Sequence, residues 1–207
     1  MHGYARAPQL SRSVMRTELE GSDKPAMKLD GPDRYYLAVP KGRFSIKAAL
    51  GDHRFSHRAS GRSPKLYVVH DHDHPIYVGV TKQPIADRLR LGWSADGEHG
   101  YHGYAWRHAF KSVGLDIWYQ TLAASRGQMV DVETVEAEAV YLLRGRYGQW
   151  PAYQTEIHFH PSTSSHRKVA RYVLELYPKR AAHNNPLQPP AGVGSGVVSA
   201  GTFARRG

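Results

Sequence analysis

Residues 64–81 read PKLYVVHDHDHPIYVGVT, and this stretch decides the fold. It contains two apolar and aromatic runs, residues 66–70 and 75–80, separated by the four polar residues 71–74. Two strand-like runs joined by a short polar turn are typical of an antiparallel β-hairpin. We therefore expect a hairpin at this point of the chain, with the other elements arranged around it.

The segments that follow the hairpin alternate between helical and extended patterns. Pro84 predicts a helix over 84–91, because proline suits the first helical position. Residues 131–146 begin with acidic side chains and end with arginines, as a helix dipole prefers. The other predicted elements are a helix running from the glycine- and aromatic-rich loop 97–104 to residues 113–114, a strand over 117–122, an extended segment over 153–159 and a helix over 167–176. This order predicts an α/β (α+β) fold with a small mixed, mainly antiparallel three-stranded sheet flanked by helices.

Composition divides the chain into four parts. Residues 64–160 hold the regular pattern and form the expected core. Residues 1–63 read as a basic N-terminal arm, mobile over 1–30, with a short accessory hairpin whose strands are 35–39 and 44–46. Residues 161–178 contain the C-terminal helix, and the Pro- and Gly-rich residues 179–207 are expected to form a disordered tail.

The net charge of +10 is unevenly distributed along the chain. Residues 1–63 carry 12 basic and 6 acidic side chains, residues 64–160 carry 9 and 11, and residues 161–207 carry 7 and 1. A positive balance favours a polyanionic partner. Basic flanks around an acidic centre fit flanks that hold a phosphate backbone and a centre that binds a cation. We therefore expect DNA as the partner.

Composition also excludes some classes of protein. No cysteine is present, which excludes disulfides, thiol catalysis and cysteine-ligated zinc. The sequence contains no run of about 20 apolar residues of the kind that spans a bilayer. The N-terminus lacks the apolar run of a secretory signal. We expect a cytoplasmic protein without a membrane partner.

Four residues of the core carry side chains that phosphodiester chemistry uses. Tyr67 and Tyr77 lie on the two strands of the predicted hairpin. Arg88 follows eleven residues after Tyr77 on the next helix, and Glu138 lies among apolar residues of the long helix. Hydrolysis of a phosphodiester needs an activated water, a cation on a phosphate oxygen and neutralisation of the charge that builds on phosphorus.

These residues and their neighbours resemble the GIY-YIG nuclease family. The tripeptides KLY at 65–67 and YVG at 77–79 are similar to the paired tripeptides that name the family, and Arg88 matches its helix arginine. The stretch EAVYLLR, which begins at Glu138, resembles the family's helix glutamate with the residues after it. QWPAYQ at 149–154 is similar to the closing segment, where an asparagine is usual. The resemblance covers residues 64 to about 160.

The resemblance implies a metal-dependent endonuclease of the restriction or repair type, which hydrolyses DNA phosphodiester bonds with Mg²⁺ or Mn²⁺. Glu138 would be the metal ligand, since one carboxylate can hold a Mg²⁺ ion that keeps much of its water shell. Arg88 would pair with the scissile phosphate. Tyr67 would act as general base or orient the attacking water, which Tyr77 would help to position. Cutting both strands would need a homodimer or a second binding event.

The chain departs from the family pattern at three places. Gly92 stands four residues after Arg88, where relatives often carry a histidine or tyrosine. That role could pass to Tyr101, His102 or Tyr104, and we assign it to His102 because an imidazole exchanges protons near neutral pH. Gln154 replaces the usual asparagine, and Lys-Leu at 65–66 replaces Gly-Ile. The side chains expected to contact DNA are Lys65, Lys82, Arg90, Arg107 and Gln154.

Several alternatives remain open from the sequence. Glu136 competes with Glu138, because both flank the apolar face of the helix and only the family pattern separates them. The same scaffold without catalysis would be a nucleic-acid-binding module, which the departures at Gly92 and Gln154 favour. Charge alone would also suit a basic structural protein. The histidines of HDHDH at 70–74, and those at 158 and 160, read as exposed polar surface rather than metal ligands.

Overall fold

A computed structural model describes residues 27–39, 44–48, 51, 53–95, 104–121 and 128–178. The strands are β1 (Leu29–Ala38), β2 (Ser45–Ala48), β3 (Lys65–Asp71), β4 (His74–Thr81) and β5 (Ser112–Gln120). The helices are α1 (His57–Ser60), α2 (Ile85–Ser94), α3 (Met129–Tyr147) and α4 (Ser164–Leu174), with a 3-10 turn at Ala105–His108. The predicted tail over 179–207 lies outside the described residues, as does nearly all of the predicted arm over 1–30.

The strands form one antiparallel sheet in the order β2-β1-β5-β3-β4. The prediction of a mixed α/β fold is confirmed, but the prediction of three strands is wrong. The expected accessory hairpin is β1 and β2, and β1 pairs with β5 from Leu29 to Ala38. Tyr35 and Leu37 of β1 are buried in the same core cluster as alternate residues of β5. The sheet continues through these strands because their alternate apolar residues extend its core.

The predicted hairpin is confirmed as β3 and β4. Tyr67 faces Gly79, and Val69 faces Tyr77. The next register pair joins His70 and Pro75, so Ile76 is an extra residue on β4 and forms a bulge. The bulge lies one residue before Tyr77 and therefore fixes how this phenol leaves the strand.

The two faces of the sheet are covered by different helices. Leu66, Val68 and Trp118 point to one side, where they pack with apolar residues of α3 and α4. On the other side Tyr67, Val69 and Ile117 share a core with residues of α2 and the 3-10 turn. Successive residues of β3 thus serve opposite cores, as the period of two of a strand requires.

The prediction of a helix that reaches residues 113–114 is wrong. Between residues 104 and 121, which the structure describes, a short 3-10 turn forms in place of a helix, and Val113 and Gly114 already belong to β5. The helix predicted over 131–146 is confirmed as α3, which ends at Gly148 with a φ of 77°. Glycine suits this left-handed position because it has no Cβ. No helix in the described part of the chain is long and apolar enough to cross a membrane.

The end of α4 is tied to the sheet by a buried polar contact. The hydroxyl of Tyr177 donates to Oδ2 of Asp116 on β5 at 2.7 Å. Arg34 lies 3.4 Å from the other carboxylate oxygen, which offsets the burial of this charge. Burial, followed by the charge of Asp116, raises the pKa of Tyr177 well above its ordinary value. Tyr177 therefore keeps its proton and remains a donor.

Candidate active site

Three phenols meet beside α2 and the edge strand β4. The hydroxyls of Tyr67 and Tyr104 lie 2.8 Å apart, and both side chains are only 1% exposed. The ring of Tyr77 is 6.0 Å from that of Tyr67 and 5.6 Å from that of Tyr104, between ring centroids. Tyr77 is half-buried and is the most open of the three. The structure therefore brings together the two predicted tyrosines and adds a third.

Gly79 makes room for the tyrosine pair. A Cβ at this position would lie 2.6 Å from the hydroxyl oxygen of Tyr67 and 2.7 Å from a ring carbon of Tyr77. Both distances are far inside ordinary van der Waals contact. The need for glycine at position 79 therefore follows from packing and does not depend on a family pattern. No larger residue fits opposite Tyr67.

Arg88 on α2 lies at the centre of these groups. Its guanidinium carbon is 5.9 Å from the centre of the Tyr104 ring. Its positive charge lowers the pKa of Tyr77, of Tyr104 and of Glu136, against the larger effect of burial. A cation that acts on two phenols and a carboxyl is placed to hold an anion among them.

The carboxyl that joins this group is Glu136, not Glu138. Glu136 is 6% exposed, and its pKa is raised to about 8, first by burial and then by the charge of Glu133. The side-chain amide of Gln154 and the charge of Arg88 act in the opposite direction. Glu138, two residues further along α3, is half-buried and is not among the groups that shift the pKa of Tyr77, Tyr104 or Glu136. Two residues turn a helix by about 200°, so the two carboxyls leave α3 on different sides.

Gln154 closes the open edge of β4. Its side-chain oxygen accepts a hydrogen bond of 3.0 Å from the backbone N–H of Val78, and its amide nitrogen donates to the carbonyl of Glu156 at 2.9 Å. One residue earlier, the N–H of Tyr153 donates to the carbonyl of Ile76. Both polar ends of the Gln154 amide are thus engaged within the protein. The prediction that Gln154 contacts DNA is replaced by a role in holding the closing segment against β4.

Two of the basic residues expected to contact DNA are used internally. The ammonium of Lys65 donates to the carbonyls of Gly61, Ser63 and Gln83, and the side chain is fully buried. Burial lowers the pKa of Lys65 to about 8. The guanidinium of Arg107 donates to the carbonyls of Gly92, Trp93 and Ala95, which end α2. Neither predicted DNA contact fits these positions, because each cation already satisfies three backbone acceptors.

The other two basic residues lie at the surface. Lys82 is exposed in the turn before α2. Arg90 is exposed on α2 and pairs with Asp87 at 2.6 Å, one helical turn earlier. An exposed pair of this kind contributes little to stability and opens at little cost. Both side chains can therefore reach a phosphate.

The histidines fall into two groups. His70 is mostly covered and packs on Tyr177, 5.5 Å between ring centroids, so its predicted exposure is wrong. His160 lies 3.1 Å from a carboxylate oxygen of Glu133, and His72 is exposed in the hairpin turn. Among the described residues no group of three or more His, Asp or Glu side chains is arranged to hold a metal ion.

Tyr104 was one of the two alternatives that the sequence left open beside His102. His102, which was preferred, and Tyr101 lie outside the described residues. The signal for Tyr104 was Gly92, where a Cβ would overlap two carbon atoms of the Tyr104 ring. A glycine inside a helix is unfavourable by about 0.5–1 kcal/mol and therefore indicates a neighbour that needs the space.

No protein-family model, curated protein or solved structure matches this chain. The resemblance to GIY-YIG nucleases therefore rests on the motif residues themselves.

Proposed function

We propose that this chain is a metal-dependent endonuclease of the GIY-YIG type that hydrolyses DNA phosphodiester bonds. One observation carries the proposal: Tyr67, Tyr77, Arg88 and Glu136 come from three separate elements, the hairpin, α2 and α3, and act on one another electrostatically. A core that needed only packing would not collect a guanidinium and a buried carboxyl around two phenols, since buried charge is unfavourable. Perturbed titratable groups concentrate at functional sites.

The roles follow from the chemistry of each side chain. Arg88 is always positively charged and pairs with the scissile phosphate, where it stabilises charge that develops on the phosphate oxygens. Tyr67 takes the proton of the attacking water, whose oxygen then bonds to phosphorus as the ester bond breaks. Tyr77, the more open phenol, positions that water. Exposed Lys82 and Arg90 contact flanking phosphates.

The resemblance implies Mg²⁺ or Mn²⁺, and the buried carboxyl of Glu136 is an oxygen donor of the kind that such an ion takes. Glu136 is the ligand we assign, because its pKa of about 8 reflects burial and the nearby charge of Glu133 and Glu156. A divalent cation relieves both effects by favouring the ionised carboxyl. One protein carboxylate is sufficient for Mg²⁺, which retains several waters. When bound, the ion would polarise a phosphate oxygen and make water a better nucleophile.

A plasmid assay tests the proposal with matched pairs of variants. Supercoiled plasmid is incubated with the full chain in Mg²⁺ or Mn²⁺, and in chelator. Glu136→Gln is paired with Glu138→Gln on the same helix, and Arg88→Met with Arg171→Met, which changes an exposed arginine of α4. We expect metal-dependent nicking that falls at least about 100-fold in the first member of each pair and persists in the second. Equal activity in all four variants would show that Glu136 and Arg88 do not form the active site.

The inactive-module alternative predicts a different result. A chain that shifts plasmid or oligonucleotide DNA on a gel, but cleaves it in neither metal, would be a nucleic-acid-binding module. The same assay therefore decides between the two functions. Fold alone does not separate restriction from repair enzymes, and the proposal extends to both.

A further inference from the structure

Tyr104 has no role in the reaction proposed above, although its hydroxyl lies 2.8 Å from that of Tyr67. It comes from the segment before the 3-10 turn, far in sequence from the hairpin. Its side chain is 1% exposed, and its hydroxyl has the hydroxyl of Tyr67 as a hydrogen-bond partner. A contact of this length between two buried hydroxyls holds the two oxygens in hydrogen-bonding distance, and either can donate.

Helix α2 is shaped to receive the Tyr104 ring. A Cβ on Gly92 would overlap this ring, so the ring occupies the volume of a missing side chain. The N–H of Tyr104 donates to the carbonyl of Gly92 at 3.2 Å, which holds its backbone against the same residue. Both the ring and the backbone of Tyr104 are therefore held against Gly92 of α2.

Two further contacts hold the ring. Trp106 stacks on Tyr104 with ring centroids 5.2 Å apart. Arg107, one residue on, donates from its guanidinium to the carbonyls of Gly92 and Ala95 at 2.7 and 3.1 Å. The segment is therefore joined to the end of α2 by charge-assisted hydrogen bonds. A loop side chain that touched Tyr67 by chance would not need these additional contacts.

The phenols around Tyr67 keep their protons. Burial raises the pKa of both Tyr77 and Tyr104 well above the ordinary value, and a hydrogen bond with Tyr67 adds to each shift. Either hydroxyl of the Tyr67–Tyr104 pair can donate while both carry a proton. Once Tyr67 has lost its proton, its oxygen can only accept, and Tyr104 is then the donor. Hydrogen bonds to an ionised oxygen favour the ionised form.

We propose that Tyr104 is a positioning residue that donates a hydrogen bond to the Tyr67 oxygen and thereby orients and stabilises it as the base of the reaction. In that step Tyr67, whose phenolic proton has first passed to solvent, accepts a proton from the attacking water at its oxygen. The water oxygen bonds to phosphorus, and the ester P–O bond breaks with its electron pair on the leaving oxygen. This inference rests on the proposed nuclease function.

Two variants test the role of Tyr104. Tyr104→Phe keeps the ring and removes the hydroxyl, while Gly92→Ala keeps the hydroxyl and displaces the ring. Their controls are Tyr141→Phe, an exposed phenol on α3, and Gly145→Ala, a helical glycine whose added Cβ meets no atom within 4 Å. Single-turnover cleavage rates at saturating DNA and DNA affinity in chelator are measured on the folded full chain.

We expect Tyr104→Phe and Gly92→Ala to slow cleavage about 10- to 100-fold with an unchanged affinity, and both controls to match wild type. A structural role alone would not separate rate from affinity in this way. Proton NMR of the full chain supplies a readout without catalysis: a hydrogen-bonded hydroxyl resonance lost in both Tyr104→Phe and Tyr67→Phe. Wild-type cleavage by Tyr104→Phe, or absence of that resonance in the wild type, would overturn the inference and leave the proposed function standing. Failure of the wild type to cleave would overturn both.

Discussion

The backbone N–H of Val78 donates to the side chain of Gln154, 76 residues further along the chain, at 3.0 Å. Because β4 is an edge strand, this N–H has no neighbouring strand to pair with on that side. Gln154 supplies the missing acceptor and holds the closing segment beside Tyr77 and Glu136.

Replacement of Gln154 by Leu removes that acceptor. We expect the free energy of unfolding to fall by about 1–2 kcal/mol, since a partly buried N–H loses its partner. Urea denaturation measures the change. Gln149→Leu is the control, because Gln149 is exposed and should shift stability by less than about 0.5 kcal/mol. The same loss in both variants would contradict the role of the Val78–Gln154 contact.

Glu136 makes stability depend on pH. Its folded pKa of about 8 lies above the ordinary 4.5, so between these values the folded chain holds a proton that the unfolded chain releases. Stability from this group is therefore complete below about pH 4.5 and is lost as the pH rises to about 8. Each unit of pKa difference is worth about 1.4 kcal/mol, which sets an upper limit of about 5 kcal/mol.

The variant Glu136→Gln isolates this effect. We expect it to gain stability relative to wild type between pH 5.5 and pH 8.5, by more than about 1.4 kcal/mol, in metal-free urea denaturation. Glu138→Gln is the control and should keep the pH dependence of the wild type, because Glu138 is not among the groups that shift the pKa of Glu136. The histidines are the same in all three proteins, so their titration cancels in the comparison. Parallel profiles for wild type and Glu136→Gln would refute the buried position of this carboxyl.

Lys65 and Lys82 should behave differently in DNA binding. The Lys65 ammonium is held by three carbonyls, whereas Lys82 is exposed. We expect Lys82→Met to reduce the slope of log affinity against log salt by about one, and Lys65→Met to leave it unchanged. Fluorescence titration at several salt concentrations gives the slopes, with circular dichroism to verify folding. A lower slope for Lys65→Met alone would show that its ammonium reaches phosphate.

The Tyr177–Asp116 contact should stabilise the position of the last described helix. Tyr177→Phe removes a donor from a buried carboxylate, and we expect a loss of about 1.5–3 kcal/mol in the free energy of unfolding. Tyr141→Phe changes an exposed phenol and should be neutral within about 0.5 kcal/mol. Thermal and urea unfolding measure both. Equal, small changes would mean that Asp116 finds compensation from Arg34.

The sequence predicted the parts of the fold that depend on local pattern. The two apolar and aromatic runs that contain Tyr67 and Tyr77, with the polar turn between them, predicted the hairpin, and the charge gradient along α3 predicted that helix. The pairing of β1 with β5 was missed, because a contact between Tyr35 and Leu115 joins residues 80 positions apart and leaves no local signal. Helical periodicity likewise places Glu136 and Glu138 equally well. Only the packing of α3 against β4 decides which carboxyl faces Arg88.

Side chains of the candidate site and side chains of the opposite core alternate along β3, with Tyr67 between Leu66 and Val68. A slip of one residue in the pairing of β3 would bury Tyr67 among α3 and α4 and turn two aliphatic side chains toward the phenol cluster. Misaligned molecules would therefore lose both stability and the arrangement on which the proposed reaction depends. Selection for a well-folded chain would then also maintain the geometry of the phenol cluster.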